Sequence, residues 1–290
     1  MSKFIIAASQ HGLCNRLKTV ISVMRLADSL DAEALVYWPQ TSKVPAELSS
    51  LFRGGPREIN EREFDALRKL KSEVTILDGW RLSLLPTDQV APDLTWQYTR
   101  RGYRVIDFCY NRIPCEVIAA YLPFFSRLKP SPQIEDRIAS FAVQIPDETV
   151  AVHLRSWSVM GDEKPAFYRL RNYVKEIQRY GARPLFVAAD ADKALNDLRA
   201  RVDNPIITLP IADRGHDSSS KIQDAVVELH LLAQPKVFIG SFISTFTEFA
   251  WWLGGCSQEI TIAEPRRYFW KRIATGMYCI ARRWTLEYDL

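Results

Sequence analysis

The sequence has few cysteines, and none of them lies in a pattern that forms a metal or redox site. The five cysteines are an odd number, are scattered along the chain and include no Cys-x-x-Cys pair, which is the spacing that zinc and dithiol sites use. The simplest interpretation is that all five are free thiols in a reducing compartment.

Long apolar runs are also absent. No stretch reaches the roughly 18 uninterrupted apolar residues of a membrane span. The apolar run that begins at Phe4 meets Ser9 and Gln10 too early for a signal peptide. We therefore expect a cytoplasmic protein. For the basic and aromatic segment 266–290 two interpretations stay open, a helix that closes the fold and a helix that lies peripherally on a membrane surface.

Neither sign of charge dominates the chain. Its 38 basic and 34 acidic residues give a formal net charge of +4, which is too small to indicate nucleic-acid binding and is compatible with an anionic small ligand. Hydrophobic residues make up 47% of the 290 residues, which is enough for a folded globular protein. This length favours two lobes over one.

Short β-branched runs alternate with longer stretches of helical periodicity, which is typical of βαβ units in a mainly parallel sheet. The predicted fold class is therefore α/β. The predicted strands cover residues 3–8, 34–38, 74–78, 103–108, 149–154, 185–189, 206–209, 237–240 and 259–262. The predicted helices cover residues 15–30, 116–122, 164–180, 192–201, 219–233 and 245–253.

Two prolines, Pro130 and Pro132, separate one periodic region from the next and predict an interdomain linker at 128–132. The predicted organisation is a first domain over 1–129, a second over 130–265 and a tail over 266–290. Residues 82–99 contain prolines and no periodicity, and they predict a long loop.

Ligands of open α/β sheets bind beyond the carboxyl ends of the strands, and the strongest signal at such a position is Arg155. It follows the apolar strand 149–154, which also contains His153. The planar fork of an arginine suits pyrophosphate, and its permanent charge stabilises a leaving diphosphate. The alternative interpretation is an ion pair between the domains.

The turn after the first strand is a second candidate. Gly12 permits close backbone approach, and Asn15 and Arg16 lie at a helix start, where anions are attracted. A purely structural alternative is that Asn15 caps the helix. This turn contains a single glycine and is not the Gly-x-Gly-x-x-Gly loop of dinucleotide enzymes. A dehydrogenase is therefore disfavoured.

Acidic residues follow the strand 185–189. Asp190 and Asp192 could accept hydrogen bonds from ribose hydroxyls or a guanine edge, although Asp192 is expected to cap the next helix. The polar loop 213–221, which contains His216, is either a closure over a ligand or an exposed loop.

The segment 238–247 is again strand, turn and helix start, with hydroxyl and N–H groups that could form a cradle for phosphate. Ser244 can also serve as an ordinary N-cap. No acidic pair is well placed for a divalent metal, and no His/Cys cluster exists in the sequence. A basic side chain must then do the work of a metal, which points back to Arg155.

Taken in order, these segments resemble the fucosyltransferase-like superfamily, which includes α1,6-fucosyltransferases, rhizobial Nod-factor fucosyltransferases and protein O-fucosyltransferases. Residues 12–17 resemble its GxGNR/Q-type turn, and 153–155 resemble its His-x-Arg strand end. Residues 186–190 resemble its strand that ends in aspartate, and 224–248 its helix, strand and Ser-Thr-Phe turn. The four motifs occur in the expected order across about 4–253.

The resemblance implies a GT-B fold, in which two Rossmann-like domains face each other across a cleft, with the acceptor side on the N-terminal domain. It further implies GDP-fucose as donor, a glycan or glycoconjugate as acceptor, inversion at the anomeric carbon and no metal or other cofactor. Arg155 would contact the donor diphosphate. The candidate donor-binding residues are Gly12, Asn15, Arg16, His153, Arg155, Asp190, Ser241, Ser244, Thr245 and Phe246.

In α1,6-type members a glutamate shortly after this arginine is the proposed base. Aligned without a gap, that position falls on Glu163, and Asp162 is the alternative carboxylate. The chain departs from the pattern at Ser156, where such enzymes often have a second arginine, and at Cys14, which replaces the middle glycine. Two alternatives stay open: a transferase with another nucleotide-sugar donor, and a non-catalytic nucleotide-sugar or glycan-binding protein of the same fold.

Overall fold

The computed structural model describes residues 3–70, 73–77, 115–156, 168–211, 214, 217–242 and 244–263. The strands within these ranges are β1 (Phe4–Ala7), β2 (Glu33–Tyr37), β3 (Phe52–Arg53), β4 (Arg57–Ile59), β5 (Val74–Leu77), β6 (Lys129–Pro130), β7 (Val150–Leu154), β8 (Leu185–Ala189), β9 (Ile206–Ile207), β10 (Val237–Ser241) and β11 (Glu259–Ala263). The helices are α1 (Leu13–Leu30), α2 (Leu48–Leu51), α3 (Glu61–Leu67), α4 (Cys115–Arg127), α5 (Pro132–Ala142), α6 (Leu170–Gln178), α7 (Asp192–Arg199), α8 (Ser219–Leu232) and α9 (Thr245–Leu253). Among these helices, none combines the length and the apolar character that crossing a bilayer requires.

The first half of the chain forms a four-stranded parallel sheet in the order β4-β2-β1-β5. Helix α1 packs on one face of this sheet through its buried apolar residues and ends where Asp31 takes a left-handed conformation with φ 50°. The predicted β1, β2, β5 and α1 are confirmed to within two residues. Strand β4 was not predicted, because its three residues include the exposed Arg57 and Glu58 and form no apolar run.

The second half forms a five-stranded parallel sheet in the order β11-β10-β7-β8-β9. Strands β7, β8 and β10 are buried along their whole length, as parallel strands with helices on both faces are. The five predicted strands are confirmed to within two residues. The chain builds outward from β7 through β8 to β9 and then returns to place β10 on the other side of β7, which is a doubly wound topology.

Two helix predictions need correction. Within the predicted helix 164–180, α6 begins only at Leu170, because Arg169 has an extended conformation with φ −148° and ψ 98°. Propensity does not mark where tertiary contacts start a helix, and residues 164–167 lie outside the described residues. The helix predicted over 116–122 continues through Pro123 to Arg127 in α4. The predicted strand 103–108 and loop 82–99 lie outside the described residues.

The predicted linker is joined to the first half of the chain. Strand β6 pairs antiparallel with β3, so that Lys129 lies opposite Arg53 and Pro130 opposite Phe52. Ser131 adds a hydrogen bond from its N–H to the Leu51 carbonyl at 2.9 Å. Pro132 then starts α5 at a position where its missing N–H costs nothing.

One cluster of buried hydrophobic residues extends across both halves of the chain. Helix α4 packs against α9, with the Phe125 ring stacked on Trp252 at a centroid distance of 5.1 Å and tilted against Phe249 at the same distance. Tyr121 lies 6.1 Å from the Trp252 ring. Buried residues of α1, α4, α8 and α9 belong to the same cluster, so the contact between the halves resembles a domain interior more than a polar interdomain surface.

A buried ion pair crosses this contact. Lys18 Nζ of α1 lies 2.5 Å from Glu248 Oε2 of α9, and the two side chains are 1% and 0% exposed. Charges removed from water in this way are tolerated only when they are paired. Arg155 pairs within the second half with Asp190, and the sequence-based alternative of an interdomain ion pair through Arg155 stays a prediction.

We expect Lys18→Met to lower the free energy of unfolding by about 3–5 kcal/mol, because it leaves the Glu248 carboxylate buried without its lysine. The double variant Lys18→Met/Glu248→Met should be more stable than Lys18→Met alone, since neither charge is then buried. Urea unfolding followed by circular dichroism measures both values.

Lys193→Met is the matched control, because Lys193 is exposed and pairs with Asp197 at 2.8 Å on the surface of α7. Its effect should stay within about 0.5 kcal/mol. Strictly additive losses in the double variant would contradict the dependence of Glu248 on Lys18.

Candidate functional site

The candidate site lies where β7 and β10 separate. Their ladder ends at Val152 opposite Ile239, whereas β7 stays paired with β8 as far as Leu154 and β10 stays paired with β11 as far as Ser241. A crevice therefore opens between β7 and β10 at their carboxyl ends. This is also the point where the sheet order reverses, which is where ligands bind in open α/β sheets.

The Ser241 hydroxyl spans this crevice. Its Oγ accepts a hydrogen bond from the Arg155 N–H at 2.8 Å and donates one to the His153 carbonyl at 2.8 Å. The Tyr173 hydroxyl lies 2.5 Å from the same Oγ. Ser241 was predicted to contact the donor; the structure places its side chain, fully buried, against the backbone that carries Arg155.

Arg155 is held by a carboxylate at the end of the neighbouring strand. Arg155 Nε lies 3.6 Å from Asp190 Oδ2, and the other oxygen, Oδ1, accepts the Ser156 N–H at 2.7 Å. The side chains of Arg155 and Asp190 are 18% and 3% exposed. Asp190 thus anchors both Arg155 and the residue after it, and the predicted role of Asp190 at the ribose or base stays a prediction.

His153 is a neutral partner in this site. Its Nδ1 lies 2.7 Å from Thr247 Oγ1, and its ring lies 4.8 Å from the Phe246 ring. Burial, together with a smaller effect of the Arg155 charge, lowers the pKa of His153 to about 3. A histidine that stays neutral at pH 7 serves as a hydrogen-bonding group and not as the protonated acid of a reaction.

Helix α9 approaches the sheet closely because residue 240 is a glycine. A Cβ on Gly240 would lie 2.2 Å from Thr247 Cγ2. The close approach lets Thr247 Oγ1 accept the Ser241 N–H at 3.0 Å while it contacts His153. Thr247 therefore ties together the end of β10, the end of β7 and the first turn of α9.

The helix start that was predicted as a phosphate cradle has the expected form. Ser244 is the N-cap of α9, with an extended backbone and no capping bond from its side chain, and it is buried. Thr245 and Phe246 follow in the first turn and are half-buried. Ser244, Thr245 and Phe246 thus lie next to Ser241 at the mouth of the crevice, and their contact with a donor stays a prediction.

The first turn of α1 contains the buried Cys14. Burial raises the pKa of the Cys14 thiol, while the charges of Lys18 and Arg155 lower it and that of Glu248 raises it. Gly12 is the N-cap of α1, so the alternative role of Asn15 as the cap is wrong: Asn15 lies inside the first turn, where the extended cap conformation is not available.

Arg16 uses its guanidinium inside the first half. It donates to the His11 carbonyl at 2.8 Å, to the Pro39 carbonyl at 2.7 Å and to Thr41 Oγ1 at 2.8 Å, and its side chain is buried. The guanidinium also lies 5.1 Å from the Trp38 ring. Arg16 thereby joins the loops that follow β1 and β2. Its predicted contact with a donor stays a prediction.

Sequence reasoning assigned the helix cap after β8 incorrectly. Asp192 is the first residue of α7 and Ala191 is its N-cap; the Asp192 carboxylate instead pairs with Arg214 Nε at 3.0 Å. Arg214 also bonds the Ala189 carbonyl and Glu228 Oε1, each at 2.9 Å. Arg214, which belonged to no motif in the sequence, thus links the end of β8 to α7 and α8. The predicted loop 213–221 is wrong at 219–221, which form the first turn of α8.

The carboxylate that Arg214 bonds, Glu228, is buried. Burial raises the pKa of Glu228 to about 7, and the Arg214 charge and hydrogen bond oppose this rise.

Three candidate site residues, Glu163, Asp162 and His216, lie outside the described residues. Within the described ranges, no group of three or more His, Cys, Asp or Glu side chains could hold a metal ion.

No protein-family model and no curated protein matches the chain. Solved structures do. NodZ alpha-1,6-fucosyltransferase soaked with GDP-fucose has a TM-score of 0.54 and 15% identity, over 87% of this chain and 93% of that one. Fucosyltransferase NodZ from Bradyrhizobium, as the Se-Met protein, has a TM-score of 0.51 and 17% identity, over 86% and 91%.

POFUT1 in complex with GDP-fucose is similar as well, with a TM-score of 0.51 and 14% identity over 90% of this chain and 97% of that one. Sequence identities this low show a similarity of fold only. The predicted fold class, α/β of the GT-B type, is confirmed by these similarities and by the two parallel sheets.

We expect Gly240→Ala to lower the free energy of unfolding by about 1–3 kcal/mol, because the added methyl group overlaps Thr247 Cγ2. The same change should cost less in a Thr247→Ser background, which removes that methyl group and keeps the hydroxyl that bonds Ser241 and His153. The measurement is urea unfolding of the wild type, both single variants and the double variant. An equal cost in the two backgrounds would mean that Thr247 does not limit residue 240.

Proposed function

We propose that this chain is an inverting, metal-independent glycosyltransferase that moves fucose from GDP-fucose to a hydroxyl group of a glycan or glycoconjugate. The observation that carries the proposal is Arg155, fixed at the switch point of a doubly wound sheet by Ser241 and Asp190. An arginine held in this way suits a diphosphate, whose charge and geometry match the guanidinium fork. The fold shared with fucosyltransferases solved with GDP-fucose supports the choice of donor.

The proposed reaction is a single displacement. The acceptor oxygen attacks the anomeric carbon from the face opposite the diphosphate, and the bond from that carbon to the diphosphate oxygen breaks. Glu163, or else Asp162, takes the proton of the acceptor hydroxyl. Arg155 and the N-terminal end of α9, at Ser244 and Thr245, stabilise the negative charge that develops on the leaving GDP.

The two halves take different parts in this proposal. The first domain, 1–129, faces the acceptor, and the second, 130–265, binds the donor at the crevice between β7 and β10. The segment 266–290, which lies outside the described residues, closes the fold; contact of its basic and aromatic residues with a membrane surface is the alternative role. No cofactor besides the donor substrate takes part.

GDP should raise the melting temperature of the wild-type protein more than UDP or NAD does, because a ligand that binds only the native state stabilises it. Arg155→Ala should abolish most of this shift, and Arg155→Lys should restore only part of it, since lysine lacks the planar fork. Differential scanning fluorimetry measures these shifts, and hydrolysis of GDP-fucose with and without EDTA tests the need for metal.

Arg179→Ala is the control, because Arg179 is exposed and pairs with Glu176 at 2.7 Å at the end of α6; its response to GDP should equal that of the wild type. A larger shift with UDP would indicate another nucleotide-sugar donor. Loss of turnover in EDTA would contradict metal independence, and an unchanged GDP response in Arg155→Ala would contradict the diphosphate role of Arg155.

Glu163→Gln should lower the turnover of GDP-fucose transfer by about 100-fold or more, because the acceptor hydroxyl loses its base. The affinity for GDP should not change, since the base acts on the acceptor. Steady-state kinetics and isothermal titration calorimetry measure the two quantities, with Asp162→Asn as the paired variant. Loss in Asp162→Asn alone would move the base to Asp162, and GDP binding with no turnover in the wild type would leave a non-catalytic binding protein.

A further inference from the structure

The separation of β7 and β10 leaves backbone groups of β7 without a strand partner on that side. Beyond Val152 the ladder with β10 stops, and the His153 carbonyl and the Arg155 N–H both point to the crevice, where the Ser241 hydroxyl bonds them at 2.8 Å. Buried backbone groups must find such partners. The Ser241 hydroxyl therefore helps to fix the backbone position of Arg155.

The hydroxyl of Ser241 has one hydrogen to donate and two lone pairs that accept. The hydrogen goes to the His153 carbonyl, and one lone pair takes the Arg155 N–H. The remaining lone pair faces the Tyr173 hydroxyl at 2.5 Å. Because the only hydrogen of Ser241 is already used, the phenol of Tyr173 must be the donor in this contact.

The buried surroundings of Tyr173 keep its phenol protonated, so that it can donate this hydrogen bond. It lies on α6 with 1% of its surface exposed, and its ring packs 5.9 Å from that of Tyr168. A buried phenol requires a hydrogen-bond partner. Burial raises the pKa of Tyr173, so the phenol keeps its proton. With all three bonds made, the Ser241 hydroxyl has a single orientation.

We propose that Tyr173 is a positioning residue of the donor site, which acts through Ser241 to fix the backbone of Arg155 for contact with the diphosphate. The proposal rests on the function proposed above. Tyr173 itself touches neither the donor nor the acceptor in it. Removal of its hydroxyl leaves one lone pair of Ser241 unfilled and lets the hydroxyl rotate away from its bond to His153.

The test compares GDP with guanosine, because only GDP has the diphosphate that Arg155 would contact. Tyr173→Phe should weaken binding of GDP about fivefold, the effect of one hydrogen bond, and leave binding of guanosine unchanged. Ser241→Ala should weaken GDP binding at least as much. Adding Tyr173→Phe to Ser241→Ala should cost less affinity than Tyr173→Phe costs in the wild type, since Tyr173 acts through Ser241. Isothermal titration calorimetry measures all four proteins.

Tyr180→Phe is the matched control, because Tyr180 follows the same helix and bonds Glu259 at 3.0 Å at the opposite end of the sheet. It should bind GDP as the wild type does. Equal weakening of GDP and guanosine in Tyr173→Phe, or unchanged GDP binding, would overturn the positioning role.

Amide hydrogen exchange separates this proposal from the proposed function. The Arg155 amide should exchange faster in Tyr173→Phe than in the wild type, because its acceptor is less well fixed. If the wild type binds no GDP, the proposed function fails and exchange at Arg155 alone decides the effect of Tyr173. An unchanged exchange rate at Arg155 would overturn the role of Tyr173 in either case.

Discussion

The constraint on which the site depends is the parting of β7 and β10 at their carboxyl ends. The sheet order reverses between these strands, and their ladder ends at Val152 opposite Ile239. Backbone groups that lose a strand partner in a buried place need another one. The hydroxyl of Ser241 serves both the His153 carbonyl and the Arg155 N–H, so these two groups are paired although the ladder has ended.

Helix α9 connects this crevice with the rest of the molecule. Its first turn lies against Gly240, which lets Thr247 bond the Ser241 N–H and contact His153. The next residue, Glu248, pairs with Lys18 of the first half, and Trp252 near its end stacks on Phe125. One short helix therefore fixes the strand ends of the site and the contact between the halves at the same time.

Charge at the site is distributed among few groups. Arg155 faces Asp190 on one side and acts on the Cys14 thiol across the contact between the halves. His153, two residues before Arg155, stays neutral, because burial and the nearby guanidinium both oppose its protonation. Positive charge at this crevice thus comes from the Arg155 guanidinium and not from His153.

Three features could be predicted from the sequence: the α/β class, the strands of both sheets that carry apolar runs, and Arg155 as a charged residue at a strand end. Such features are local, because an apolar run or a polar residue after it is visible within a few neighbouring residues. Short β4 and the start of α6 were missed, since they depend on pairing and packing. The contacts of Lys18 with Glu248 and of Tyr173 with Ser241 could be found only in the folded chain, because partners 230 and 68 residues apart leave no periodic signal in the sequence.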